Sequence, residues 1–402
     1  MSNVLETYIA GLFNNEILRD SNGKPSFFVR HPKVNSSFFD ASLPDSPHPA
    51  FVCGSDVDSA VLIGKYHSSE LTSGGALYSL PNAAPVRNVS YANMMGRART
   101  ENWVPMTIFD YGLILLIAQH YGFKGRHGNT LWGAEYGGAV WNPNIRATAG
   151  QTMQYLGWSY ETLITHTMAE GLEPTNAPAY FKKIAKIGGT CVPTDAYKSN
   201  RTYTGSGPLS WYFLDDINME ADIAGDVRNY IAGARISDGE IQIIPTAANP
   251  LTDVSPESEE WKAILPHNAD NGYDLVTPGT TGTIKYAWIN DTITLIARSR
   301  ESEEVYAGNK SDSLYNIAIE SSSLPYVPSI LYECAFAPLP NVTDEHKVDG
   351  NYNIYLGTGT RYCMFGRGYG SNARGLASLA MSVNSSDTPT GTGIRHRARE
   401  LA

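Results

Sequence analysis

The chain has 402 residues, 42% of them apolar and 17% charged, a make-up that supports real hydrophobic cores and excludes a disordered polymer. Its formal net charge of −10 arises without a block of like charges. That excludes a sequence-independent grip on nucleic acid, so no nucleic-acid partner is expected.

In chain order, residues 4–13 can form a short helix with Val4, Leu5, Tyr8, Ile9 and Leu12 on one face, which either docks on a partner or packs on its own domain. From 26 to 85 the signals are strand and turn: Phe27-Phe28-Val29, Ala50-Phe51-Val52 and the run 61–66, separated by Pro, Gly, Ser and Asp clusters. Ser90 is placed to cap a short helix. Thr107 and Asp110 have the spacing of a capping box, and Gly122 is placed to end the helix that follows. The apolar residues of 111–121 nearly encircle that helix, which predicts a position inside a core. Residues 124–198 mix Gly, Asn and Trp, with a strand or short helix at 153–165 and a lysine-rich turn at 182–186.

The rest of the chain is organised around residues 200–245. They combine the Gly205-Ser206-Gly207 turn, Trp211, an acidic run, a second turn at Gly225 and a strand-like run at 236–244. Residues 249–271 and 298–323 read as surface excursions. The runs 284–288 and 292–297 read as strands paired across Asn290-Asp291. Strand candidates at 329–336, 352–356 and 361–365 precede a Gly/Ser/Asn-rich segment that runs to the end. The basic stretch Arg395-His396-Arg397-Ala398-Arg399 reads as a solvated or packed end rather than an anion contact.

Little of this carries catalytic spacing. Gly205-Ser206-Gly207 lacks the strand and helix context of a phosphate loop, and Pro208 follows it, so turn geometry is the better reading. Asp215, Asp216, Glu220, Asp222 and Asp226 could supply oxygen ligands, but their spacing is not that of an EF-hand, and calcium remains a minor alternative to an acidic surface loop. Cys53, Cys191, Cys334 and Cys363 form no CxxC pair and read as buried thiols. No HxxxH pair or GxSxG motif occurs. No cofactor and no metal is expected. The first residues lack a basic stretch followed by an apolar one, and the longest apolar run, 113–118, is too short to span a bilayer. Synthesis in a cytoplasm without membrane insertion is the expectation.

The C-terminal segment is richer. Arg367, Tyr369, Ser371, Asn372 and Arg374, and beyond them Asn384, Ser385 and Asp387, stand among glycines. Tyr offers contact area at low entropy cost, while Ser and Asn offer adaptable hydrogen bonds, which is the vocabulary of binding loops. An ordinary glycine-rich surface loop has the same composition.

Three blocks in fixed order resemble the C-type-lectin-fold family that includes formylglycine-generating-enzyme-like modules and the variable proteins of diversity-generating retroelements. The first runs from His48-Pro49-Ala50-Phe51 through Tyr78-Ser79-Leu80-Pro81 and Trp103-Val104-Pro105-Met106-Thr107 to Arg126-His127-Gly128-Asn129-Thr130. It is similar to the family's opening strand pair and the two helices that follow. The second, 201–211 with 225–236, is similar to the family's "T-G-S-G-P…W" and "G-N-V-W-E-W-…-G-x-R" signatures. The third, 361–395, resembles its "R-G-G…G-F-R" ending. Departures are visible: the second signature reads Gly225-Asp226-Val227-Arg228-Asn229-Tyr230 and so lacks both tryptophans, and the third opens Gly366-Arg367-Gly368. Formylglycine-generating enzymes carry a close cysteine pair near the C-terminus, whereas Cys334 and Cys363 are 29 residues apart. The HxxxHxE motif of related iron enzymes and the EPN or QPD triplets of calcium lectins are absent.

The resemblance implies an α+β protein with a C-type-lectin-like fold: short twisted antiparallel sheets, two helices and many loops. Residues 1–45 would be an N-terminal attachment or oligomerisation segment. Residues 46–402 would be the ligand-binding domain, with surface insertions near 246–275 and 298–325. Trp211, Gly225, Gly233 and Arg235 would be scaffold. The implied function is non-enzymatic: a phage tail-tip or fibre protein that displays a C-terminal face, open to retroelement diversification, to a receptor on the host surface. Arg367, Tyr369, Ser371, Asn372, Arg374, Asn384, Ser385 and Asp387 would contact that protein or glycan receptor. The N-terminal segment would join other virion proteins, and a trimer is implied by likeness to a tropism-determining variable protein. A decoration protein without a receptor, or an enzyme of the formylglycine-generating type, are the alternatives.

Overall fold

The structure is a computed structural model that describes residues 14–125, 139–192, 201–267, 272–302, 304, 308–366 and 375–401. Asn15–Arg19 pairs antiparallel with Pro25–Pro32, that strand with Asp56–Gly64, and Asp56–Gly64 with the last strand, His396–Leu401. Val104–Pro105 closes the row on the far side, and Val52–Cys53 joins Asp56–Gly64 in a short hairpin. The first described residues and the end of the chain therefore share one six-stranded sheet.

Of the two ends considered for the basic stretch, the packed one is observed. Arg395, His396 and Arg397 are buried. The Arg395 guanidinium donates to the carbonyls of Gly64 (2.6 Å), Lys65 (2.9 Å) and Ala221 (2.7 Å). Arg397 lies 3.3 Å from the Asp110 carboxylate and donates to the Ala50 carbonyl. Arg399 grips Asp58 through Nε and Nη2. Buried cations are tolerated because carbonyls and carboxylates replace the lost water.

Among the described residues there are three α-helices: α1 (Tyr91–Arg97), α2 (Ile108–His120) and α3 (Ser329–Glu333). Ser90 Oγ accepts from the Asn93 amide at the start of α1. The capping box expected for α2 is present, with Thr107 and Asp110 satisfying each other's amides, and Gly122 sits just past its end at φ +65°. Eleven of the thirteen α2 residues are buried. Residues 329–336, expected as a strand, hold α3 instead. Pro328 sets the entry, and Ile330, Leu331 and Cys334 are buried at a helical rather than alternating spacing.

A twelve-stranded sheet forms the second large element. Its spine is Arg228–Ser237, flanked by Glu240–Ile243 on one side and Thr360–Phe365 on the other. The single run expected at 236–244 is broken by an Asp238-Gly239 hairpin turn with φ of +51° and +83°. Lys285–Ile289 and Thr292–Ile296 pair across Asn290-Asp291, both left-handed, as the sequence predicts. The excursions are partly sheet. Lys262–His267 pairs with Glu240–Ile243 and with Gly272–Val276, while Asn309–Asp312 pairs with Tyr352–Tyr355. Burial of Trp261, Ala263 and Ile264 gives the first of these its reason to join the sheet. α2 packs against Arg228–Ser237, and the main core fills the space between them. This is a sheet-rich, mixed architecture of the α+β kind.

Residues 139–192 build a separate small core of Trp141, Met153, Tyr155, Tyr160, Met168 and Phe181. Thr152–Tyr155 and Trp158–Thr162 form a hairpin. The lysine-rich stretch expected as a turn is the edge strand Phe181–Lys186 beside it. Lysines suit an exposed edge because they discourage pairing with another chain. Lys183 Nζ lies 3.3 Å from the Trp158 ring centroid.

Two buried histidines tie stability to pH. Desolvation holds both His48 and His396 down to about 3, whereas in an unfolded chain they titrate near 6.5. The unfolded state therefore binds more protons below pH ~6.5, and the stability these groups protect falls as pH drops toward 3. Each contributes a slope of about 1.4 kcal/mol per pH unit in that window. In urea titrations from pH 7 to pH 4.5, His48→Asn should shed one such increment of the acid loss. An unchanged slope would show that His48 does not remain neutral in the fold.

Candidate functional site

The strands Thr360–Phe365 and Leu379–Val383 pair antiparallel, with Phe365 opposite Leu379. Their connection contains Arg367, Tyr369, Ser371, Asn372 and Arg374, which lie outside the described residues. Its two ends are well fixed. Gly366, at φ +73°, donates its amide to the Ser378 carbonyl and lies beside Ile223 and Ala224. Gly375, at φ +62°, presses so closely on the Asp349 carbonyl that an added Cβ would sit 1.9 Å from it. Leu376 and Ala377 follow, buried. Only glycine satisfies both the left-handed backbone and that contact.

Gly125, just beyond the end of α2, faces Leu376. The same residue lines a cavity of about 570 Å³ with Tyr121, Phe123, Ser210, Leu214 and Asp215. Leu214 and Asp215 are both left-handed, at φ +54°, which is uncommon for residues with side chains. Phe123, in the wall, meets the buried Phe213 edge to face at 5.4 Å. Tyr121 is 63% exposed, so its ring is offered to solvent at the mouth. Nothing in the sequence marks these residues as a group, because the fold brings the distant segments 121–125 and 210–215 together at one end of α2.

Asn384, Ser385 and Asp387 stand elsewhere. They form a turn at the other end of Leu379–Val383, about 15–20 Å away at strand rise. Arg361 donates to Asn384 Oδ1 (2.7 Å) and lies over the Tyr355 ring (4.0 Å). The Asn384 amide donates to Asp387 Oδ2. The Ser385 carbonyl accepts from the Ala92 amide in the first turn of α1. The Asp387 side chain therefore closes its own turn and Asn384 is held by Arg361. Asn384, Ser385 and Asp387 thus lie at the opposite end of Leu379–Val383 from Gly366 and Gly375.

Of the expected scaffold residues, Trp211, Gly225 and Gly233 are buried and Arg235 is partly buried. Trp211 is 1% exposed and stacks over Gly207, where a Cβ would meet the indole at 2.2 Å. The Gly225 carbonyl lies 2.8 Å from the buried His67 ring. Gly233, at φ +70°, sits where the spine strand shifts register and accepts from the Ile244 amide. Arg235 donates to Gln242 and to the Pro256 carbonyl and stacks over Trp261.

The acidic run divides. Asp215 and Asp216 are exposed. Glu220 lies 2.6 Å from His31, Asp222 accepts from the Gly205 amide, and Asp226 accepts from the Thr202 amide, all of them buried. These three carboxylates hold the 200–226 turns in place, and among the described residues no three His, Cys, Asp or Glu side chains gather in a metal-binding arrangement. Cys334 and Cys363 are free thiols, and burial pushes both upward. A thiol in that state is a poor nucleophile. No family model matches the chain, and no curated protein matches it.

Proposed function

We propose that this chain is a non-catalytic receptor-binding protein of a phage particle, at the tail tip or on a fibre, built on a C-type-lectin-like domain. The observation that carries this reading is the hairpin of Thr360–Phe365 and Leu379–Val383. Its connection is rich in Arg, Tyr, Ser and Asn, and its ends are pinned by Gly366 and Gly375 to a buried scaffold. Adaptable side chains on a rigid frame are how binding loops tolerate change without loss of fold. The order of elements supports the same reading: the paired strands Val52–Cys53 and Asp56–Gly64, then α1 and α2, then the Trp211 turn and the spine strand. The inert state of the buried thiols speaks against a formylglycine-generating chemistry.

On this proposal Tyr369 and Arg374 anchor the receptor, since Tyr and Arg are enriched among interface hot spots. Ser371, Asn372 and Arg367 adjust specificity. Trimerisation would raise avidity, and the N-terminal segment would join the particle. Virions carrying Tyr369→Ala with Arg374→Ala are expected to adsorb to host cells at least about tenfold less, which corresponds to 1.4 kcal/mol or more, with thermal unfolding of the purified protein unchanged. Unchanged adsorption would favour a decoration protein instead. Stoichiometric copper or iron in the purified protein would favour an enzyme.

A further inference from the structure

A second cavity, of about 410 Å³, lies between the 44–54 segment, the Lys262–His267 and Gly272–Val276 hairpin, and α3. Its mouth is formed by exposed Pro44, Ser46 and Leu275, and buried Phe109, Ile330 and Glu333 lie deeper. Most of the wall is apolar and rich in proline, with Tyr273 half-buried beside it. The volume is that of a pocket for a small molecule or one long side chain.

Glu333 is the unusual member of this lining. It is 4% exposed, yet no cation pairs with it among the described residues. Ser36 donates to its Oε1, and the Ser329 side chain lies nearby. The nearby His48 is buried and held neutral. Burial accordingly raises the carboxyl above its ordinary range. A buried carboxylate without a counter-ion is costly, and a cation brought by a ligand would relieve that cost. Aromatic rings beside a carboxylate add to the attraction for a soft organic cation. With a single carboxylate and an apolar wall, the cavity lacks the oxygen ligands a divalent metal requires.

We propose that this cavity binds an organic ammonium ion, its charged head at Glu333 and its apolar body along the proline-lined wall. None of its lining residues belongs to the Thr360–Phe365 and Leu379–Val383 hairpin, and it does not depend on the receptor-binding reading. The test is calorimetric titration of the full-length protein at neutral pH with choline, n-butylammonium and the neutral choline isostere 3,3-dimethylbutan-1-ol. At least one ammonium probe is expected to bind roughly tenfold or more tightly than the neutral isostere. Glu333→Gln should abolish that preference. Leu275→Trp, at the exposed mouth, should weaken the ammonium probe with an unchanged melting temperature, and it keeps the test open if Glu333→Gln fails to fold. Absence of saturable binding for both ammonium probes would overturn the proposal. So would equal affinity for the isostere, or ammonium binding that Leu275→Trp leaves intact.

Discussion

Trp211→Ala is expected to cost the fold about 3–5 kcal/mol, enough to leave the protein largely unfolded in mild denaturant. The indole is 1% exposed and stands on Gly207, with Gly205 turned left-handed against the Tyr66 ring and bonded through its carbonyl to the Tyr212 hydroxyl. Nothing adjacent can collapse into the hole. The backbone of 205–212 is pinned by Asp222 at the Gly205 amide, and Phe213 is bonded to the Glu220 carbonyl. The matched control is Leu209→Ala, two residues earlier and 51% exposed, which should change stability by no more than about 0.5 kcal/mol. Urea unfolding of both variants decides the matter. If they cost the same, the 200–245 stretch is not the scaffold described here.

The second large effect is expected at Gly112. This residue lets α2 touch α3 backbone to backbone, and an added Cβ would lie 1.7 Å from the Glu333 carbonyl oxygen and 3.1 Å from the Cys334 Cα. Alanine favours a helix over glycine by about 1 kcal/mol, so local propensity alone predicts stabilisation. The clash must win, because a backbone carbonyl cannot swing aside as a side chain can. Gly112→Ala should push α3, with Ile330 and Leu331, off the core and cost about 3 kcal/mol net or more. Gly96, inside α1, has nothing within 4 Å of its added Cβ. Gly96→Ala should therefore stabilise by up to about 1 kcal/mol. The same substitution is expected to have opposite signs in two helices, read from the shift in urea midpoint. Stabilisation by both would refute the close α2–α3 approach.

The capping box at Thr107 and Asp110, the Gly122 stop, the Ser90 cap and the Asn290-Asp291 hairpin were legible in the sequence because each is local chemistry within four residues. The strands at Pro25–Pro32 and Asp56–Gly64 were legible through their apolar runs. α3 was not, since five residues carry too little periodicity to separate helix from strand. The lysine-rich strand Phe181–Lys186 hid because an edge strand exposed on both faces has no apolar alternation. At the candidate site, the composition of the C-terminal segment drew attention to 367–387 as a whole. Only the strand register revealed that Asn384, Ser385 and Asp387 sit at the far end of Leu379–Val383 from the Gly366 and Gly375 anchors.

The sequence by itself determined the class of chain: globular, strand-rich, locally capped, with a glycine-framed segment of Arg, Tyr, Ser and Asn near its end. Those features follow from composition and from contacts only a few residues apart. The tertiary structure alone decided that the basic end is an interior strand, that Glu220, Asp222 and Asp226 are structural, and that Glu333 lines a cavity with no cation paired to it among the described residues. Each of these depends on partners brought from far along the chain, such as Arg395 to Ala221 or Gly112 to Glu333. Burial converts a charge from a solvated surface group into a group that must be paired, and burial is set by the whole fold rather than by neighbours in sequence.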